Sequence, residues 1–422
     1  MAPSTANLAI WTIAAIATAA VIIRPFRLPE ALWAIGGAAL LLATGLLPLS
    51  AGLAAIAKGL DVYLFLIGMM LLSEVARREG LFDWVAAYAV NHAKGSPRRL
   101  FLLIYGVGVV VTVFLSNDAT AVVLTPAVFA ATRKAKVDPL PYLFICAFVA
   151  NAASFVLPIS NPANIVLYGD HTPPLGQWLA SFALPSLLAI LATYGILRLV
   201  EASRLGQACE RDIEQPPLSG GGRLALAGIA LTALALVIIS ALDRPLGAPT
   251  ALLGVATTVA ILIARRAAPW PVLGGVSWSV LPLVAGLFVL VEGLQHTGLI
   301  GALTSTLRAT SDVSAPGTAA AGGVLLAVGS NLINNLPAGL IASTAIAQAQ
   351  PPKMVIDALL IGVDLGPNLS ITGSLATILW LTAIRREGED VTFWRFLKVG
   401  ALVMPPALVL AIGARLLLGP AG

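Results

Sequence analysis

Two carboxylates stand in stretches of the chain that carry almost no other charge. Asp118 lies in Leu115-Ser116-Asn117-Asp118-Ala119-Thr120, and Asp364 in Gly362-Val363-Asp364-Leu365-Gly366-Pro367. Both fall inside long apolar runs, where an ionised carboxyl costs about 2.5–3.5 kcal/mol even on the mild insertion scale. Each must therefore be hydrated, hydrogen-bonded or protonated. With no basic residue beside it in sequence, a buried acid can take up and release a proton, so Asp118 and Asp364 are the candidate proton carriers.

Around them gathers a set of amides and hydroxyls without fixed charge: Asn117, Asn151, Ser160, Asn161 and Asn164, then Asn334, Asn335, Thr372 and Ser374. Such groups both donate and accept hydrogen bonds. They suit a small, neutral, hydroxyl-rich solute, or a dehydrated cation held by oxygens. A dicarboxylate would call for Arg or Lys at mid-depth, and none stands there. The competing reading for any one of these residues is hydrogen bonding between helices. Other candidates are weaker: Glu74 beside Arg77 and Arg78 reads as a surface ion pair, Glu292 as its counterpart near the opposite edge, and His92, His171 and His296 as solvated loop residues. Cys146 and Cys209 are too far apart for a soft thiolate cage or a Cys-x-x-Cys pair, so no metal site is expected from Cys or His.

The elements that must position these groups are membrane spans. Of the 422 residues, 58% are apolar and 11% charged, against about 25% charged in soluble domains; mean hydropathy is +0.93. That excludes a soluble enzyme, a nucleic-acid binder and a disordered chain. At about 20 apolar residues per crossing, ten stretches qualify: 5–23, 30–49, 60–76, 139–168, 178–198, 223–242, 248–264, 277–294, 355–384 and 394–417. Segments 139–168 and 355–384 are overlong and interrupted by Pro, Gly, Asn and Ser, which makes them broken helices. Segments 98–134 and 317–348 are split by Asn-Asp or Asn-Asn into arms of about 16 residues, each rising ~24 Å, and read as re-entrant hairpins. Residues 81–92 read as an interfacial amphipathic helix. With the amino terminus outside, twenty Lys and Arg fall in cytoplasmic loops and five outside, which sets the orientation and leaves both ends outside. The start of the chain lacks a basic region, so its first segment is read as an uncleaved span rather than a signal peptide.

A repeat runs through this pattern. FLIGMMLLSEVARREGLFDW matches VAGLFVLVEGLQHTGLIGA, pairing Glu74 and Gly80 with Glu292 and Gly298; Ser160 pairs with Ser374 at an offset near 217, and Asn335 is read as standing where Asp118 stands. The expected organisation is a first membrane repeat over 1–201, a cytoplasmic linker over 202–222 and a second repeat over 223–422. Five crossings per half invert the second copy. Inverted repeats with interrupted helices place a polar-solute site at mid-membrane. No Gly-x-x-x-x-Gly-Lys-Ser/Thr run occurs, so the chain itself is not expected to be an ATPase; read as a transporter, it is expected to be no enzyme, with no catalytic residues and no cofactor.

LSNDATAVVLTP, PISNPANIV and above all GVDLGPNLSITGSLATILWL resemble the bacterial arsenite/antimonite efflux permeases, the arsenical pump membrane proteins of the ion transporter superfamily. The similarity extends from about residue 30 to near the end. It implies export of trivalent arsenite and antimonite hydroxides across the bacterial inner membrane, driven by protons, with some members joined by a separate cytoplasmic arsenite-stimulated ATPase. The neutral trihydroxide matches the uncharged lining. The tips here, Ser116-Asn117-Asp118 and Ile333-Asn334-Asn335, depart from the superfamily's Ser-Asn-Thr, which favours protons over sodium. By resemblance the hairpin and broken-helix positions are Asn117, Asp118, Ser160, Asn161, Asn335, Asp364 and Ser374. The alternatives are a sodium/proton antiporter on the same scaffold, the membrane subunit of an ATP-driven arsenite pump, and a silicate or borate carrier.

Overall fold

A computed structural model describes residues 4–419 apart from 170–171, 207–208, 211, 216 and 243. His171, read as a loop residue, and Arg211, counted with the linker, lie outside the described residues. Twenty-one α-helices and no strand occur among the described residues. The first eleven are α1 (Thr5–Ile23), α2 (Glu30–Ala43), α3 (Leu49–Lys58), α4 (Leu60–Arg78), α5 (Leu81–Ala93), α6 (Pro97–Phe114), α7 (Asn117–Ala119), α8 (Thr125–Lys134), α9 (Leu140–Ala152), α10 (Pro162–Tyr168) and α11 (Leu175–Val200). A π-helical turn, Thr120–Leu124, joins α7 to α8. Then follow α12 (Gly220–Ala241), α13 (Gly247–Arg265), α14 (Trp270–Gly275), α15 (Val280–His296), α16 (Leu299–Val313), α17 (Ala315–Ile333), α18 (Asn335–Ala349), α19 (Lys353–Leu365), α20 (Leu375–Arg386) and α21 (Phe393–Leu417).

The breaks fall where the sequence places side-chain caps. Ser116 accepts from the amide of Ala119, Asn161 from Ala163, Asn334 from Leu336 and Ser374 from Ala376. Each satisfies an orphan donor at a helix start. The helices therefore break at both expected hairpin tips and within both expected overlong segments, while α6 and α17 are each long and apolar enough to cross a membrane alone. The hairpin arms α6 and α17 are longer than read, with 18 and 19 residues. One expected crossing differs: residues 30–49 are not continuous. Helix α2 stops at Ala43, and Gly45 takes a φ of +70°. Pro48 then precedes a separate α3, which turns by 47° into α4. Among the described residues, seven helices are long and apolar enough to cross a membrane alone, or nine if each of two bent pairs is one span. The broken helices add to these only as composites of two short pieces.

Helix packing divides the molecule into two groups. Helix α13 lies along α4, α2 along α15, and α1 and α12 flank them; α17 lies along α19, α11 along α21, and α6 along α9. Small residues let these backbones meet. A Cβ on Gly68 of α4 would stand 2.2 Å from the Thr250 carbonyl oxygen, and one on Gly362 of α19 2.2 Å from that of Gly323. Helix α5 buries one face, including Phe82, Ala86 and Val90, against α6 and α8. Beyond α11 the linker is strapped to the first half. Asn91 exchanges hydrogen bonds with the backbone of Ile213, and Lys136 pairs with Glu210 at 2.8 Å. Its last three residues, Gly220–Gly222, already belong to α12, because Ser219 caps that helix.

Candidate functional site

The two broken helices run antiparallel and are cross-bonded from end to end. Trp380 donates from Nε1 to the carbonyl of Leu143 at 2.8 Å. Asn151 donates to Asn368 Oδ1 at 3.0 Å, and Asn368 in turn donates to the carbonyl of Phe148 at 3.0 Å. Asn161 donates from Nδ2 to Asp364 Oδ1 at 2.8 Å. At the far end the Tyr168 hydroxyl donates to Asp357. Polar side chains that would be costly alone in apolar surroundings thus partly satisfy one another across the two broken helices.

Where the hairpin tips meet the breaks, Asn117, Asp118, Asn161, Asn335 and Ser374 line one small cleft of about 10 Å³, with Leu66, Pro162, Val280, Leu336 and Leu375 as apolar walls. Asp118 sits at its boundary with a cavity of about 860 Å³. That cavity runs past Phe65, Met69, Val122 and Thr382 to Glu74, Arg77, Arg386 and Glu387. Asp364 is fully buried one layer behind the cleft and touches it through Asn161. Its Oδ2 and the Oδ1 of Asn335 are buried without a well-formed hydrogen bond, with the Ser154 hydroxyl also facing the Asp364 carboxyl. Unpaired buried acceptors are rare in native proteins; Asn335 Oδ1 stands on the cleft lining, and Asp364 Oδ2, Asn151 Oδ1 and Asn164 Oδ1 lie within the breaks behind it.

Other expected site residues lie close by but direct their donor groups elsewhere. Ser160 donates to the Val113 carbonyl and accepts from the Leu157 amide. Asn164 donates to the carbonyls of Ser154 and Leu157. Asn334 caps α18 and donates to the Thr372 carbonyl, while Thr372 donates to the Asn331 carbonyl. Asn151 holds Asn368. These five shape the breaks rather than line the cleft. The helix starts also revise one pairing: Ser116 and Asn334 are the two hairpin caps, so Asn335 stands opposite Asn117, not opposite Asp118.

Sequence reasoning missed a second group. Asp357 and Arg415 are both fully buried, with Arg415 Nε donating to Asp357 Oδ2 at 2.6 Å and Lys353 Nζ 3.6 Å away. Arg415 is thus part of the packed interior rather than an outer loop cation. An acid four residues after a lysine in an apolar helix, with an arginine in the last turn of another, was the available signal. Glu74 pairs with Arg77 and Arg78 as read, but it is buried against the large cavity rather than placed on the surface. Glu292 pairs with Lys58 at 2.9 Å. His92 and His296 bond their own helix backbones, and Cys146 and Cys209 are free and buried. No group of three His, Cys, Asp or Glu able to hold a metal occurs among the described residues.

A family model described as a citrate transporter matches residues 13–366. The chain belongs to the citrate transporter family. Within curated proteins it is 29% identical over 362 residues to an arsenical pump membrane protein of Yersinia enterocolitica, and 26% identical over 360 residues to one of Escherichia coli. Each alignment covers 82% of this chain and 84% of the relative. An uncharacterized transporter of Mycobacterium tuberculosis is 27% identical, covering 83% of this chain and 84% of the relative. Two solved structures share the fold. The YdaH transporter of Alcanivorax borkumensis has a TM-score of 0.56 at 16% identity, over 87% of this chain and 86% of that one. MtrF of Neisseria gonorrhoeae, described with a class of antimetabolite efflux pumps, has a TM-score of 0.56 at 13% identity, over 89% and 85%. The resemblance to arsenical pump membrane proteins read from the motifs agrees with these relatives, and the chain is a multi-pass α-helical membrane transporter. For a member of the citrate transporter family the cleft has a telling lining: neither Arg nor Lys is in it.

Proposed function

We propose that this transporter exports trivalent arsenite and antimonite, as neutral hydroxides, from the cytoplasm in exchange for protons. The observation that carries the reading is the cleft of Asn117, Asn161, Asn335 and Ser374 with Asp118 at its edge and no cationic side chain. Citrate or another polyanion would meet only acids and uncharged dipoles there, whereas a trihydroxide can donate to amide oxygens and accept from amide N–H groups. The arsenical pump names of the curated relatives support the same solute class.

The proposed organisation is two repeats of opposite sense, 1–201 and 223–422, in the bacterial inner membrane with both ends outside. The antiparallel course of the two broken helices and their cross-bonds support it. The large cavity ends among Arg77 and Arg386, residues of the basic loops that the positive-inside rule assigns to the cytoplasm, so solute enters Asp118's side from within. Asp118 borders this cavity and Asp364 lies behind Asn161, so a proton on either carboxyl changes what the cleft offers to a hydroxyl. Protonation from outside then favours the state that has released its solute.

Inverted membrane vesicles with no ATP test this directly. Uptake of arsenite should follow an imposed pH gradient and collapse with a protonophore. Uptake that requires ATP and an added soluble ATPase, or that follows a sodium gradient instead, would remove proton exchange. Citrate displacing arsenite at equal concentration would remove the neutral-solute assignment.

A further inference from the structure

The two cross-bonds between α10 and α19 form a pair with regular geometry. Asn161 caps the start of α10 and Tyr168 ends it, seven residues on; Asp364 lies in the last turn of α19 and Asp357 seven residues back. Seven residues are close to two helical turns, about 10.5 Å of rise, so each pair projects from one face of its helix. Helix α10 therefore stands against α19 on two rungs. One is Asn161 to Asp364, at the cleft. The other is Tyr168 to Asp357, remote from it.

The remote rung is itself built in. Asp357 is fully buried and faces three partners: Tyr168 from α10, Arg415 Nε from α21 at 2.6 Å, and Lys353 from its own helix at 3.6 Å. Lys353 is anchored in turn by the Ser181 hydroxyl of α11. Arg415 is held at its other end by the Gly419 carbonyl at 2.8 Å. The remaining helices packed on α19 from the second half, α17 and α18, carry no ionisable side chain. Removing one partner of a buried charged cluster is expensive, so this rung cannot drift. Helix α10 has only seven residues and is preceded by the irregular break 153–161; its own hydrogen bonds do little to fix its rotation.

We infer that Tyr168 and Asp357, with Arg415 and Lys353 behind them, are positioning residues that set the rotation of α10 and thereby hold the Asn161 amide on Asp364. They touch neither solute nor cleft. They act by fixing the amide donor that Asp364 sees beside the Ser154 hydroxyl, and the face that Asn161 turns to the solute. For its transport consequence the inference rests on the proposed arsenite exchange; for its structural consequence it does not.

The test uses the full-length protein in lipid and reads two things. The first is the infrared carboxyl band of Asp364, identified as the band lost in Asp364→Asn; its wavenumber reports hydrogen bonding to that carboxyl. The second is arsenite uptake into vesicles. Tyr168→Phe removes one hydroxyl and should move the Asp364 band to higher wavenumber while lowering uptake about tenfold, the scale on which outer-layer contacts act on a site. Asp357→Asn should displace the same band. Trp380→Phe, which removes the cross-bond on the opposite side of the breaks, should leave the band in place. A band unmoved in Tyr168→Phe overturns the inference, as does an equal displacement in Trp380→Phe. Should wild-type vesicles take up no arsenite while Tyr168→Phe still displaces the band, the proposed function fails and the positioning role stands.

Discussion

Asn161 uses both ends of its amide at once. Its Oδ1 accepts from the Ala163 amide at 3.0 Å to start α10, and its Nδ2 donates to Asp364 at 2.8 Å. One side chain thus joins a helix start, a buried acid and the cleft wall. Under the proposed exchange, Asp364→Asn removes the carboxyl assigned the proton but keeps the shape, so the variant should fold normally and lose pH-driven arsenite uptake. Asp118→Asn should do the same, and normal uptake in either, measured in inverted vesicles, would take that acid out of the exchange. Thr372→Val is the contrasting case. It deletes a hydroxyl that bonds the Asn331 carbonyl and Ser370, both at 3.0 Å. It should cost about 1 kcal/mol of stability, read as a lower melting temperature in detergent, with the KM for arsenite unchanged. The sequence showed which residues were polar in apolar surroundings, and hence the neighbourhood of the site. It could not show which of them faced the cleft, because Ser160, Asn164, Asn334 and Thr372 find partners within their own breaks, and nothing in residue type separates them from Asn117, Asn161 and Ser374.

At the level of elements, the helices that carry the site are held by close backbone crossings. Helix α19 meets α17 at Gly362 and Gly323, where a Cβ added to Gly362 would lie 2.2 Å from a carbonyl oxygen. Backbone cannot step aside as a side chain can, so Gly362→Ala should sharply reduce folded protein, measured as monodisperse yield after solubilisation. Gly36 on α2 has open space where a methyl would stand, with nothing within 4 Å, and Gly36→Ala should be neutral or gain up to about 1 kcal/mol from helix propensity. The breaks in the helices were legible because Asn, Pro and Ser interrupt apolar runs. The split between α2 and α3 was not, since Gly45, Leu46, Leu47 and Pro48 keep the hydropathy of a continuous span while their backbone leaves the helix. The Asp357–Arg415 pair was hidden for a related reason: residues near the ends of spans are counted as loop charges until packing shows them enclosed.

For the molecule as a whole, the 860 Å³ cavity reaches Asp118 from the side of Arg77 and Arg386. In a variant lacking Cys146 and Cys209, Val122→Cys places a thiol on the cavity wall one turn from Asp118. A membrane-impermeant thiol reagent should label it in inverted vesicles and spare it in intact cells. Labelling only from outside would reverse the orientation proposed above.

Between the tips, about 10 Å³ is free, space for about one water molecule. A pyramidal molecule with three hydroxyls is several times larger, so Asn117 and Asn335 must part before cargo can lodge between them. On the proposed function, solute binding and widening at the tips are then a single event. Any substitution that wedges the tips apart should therefore raise affinity for the solute while slowing the return of the empty protein.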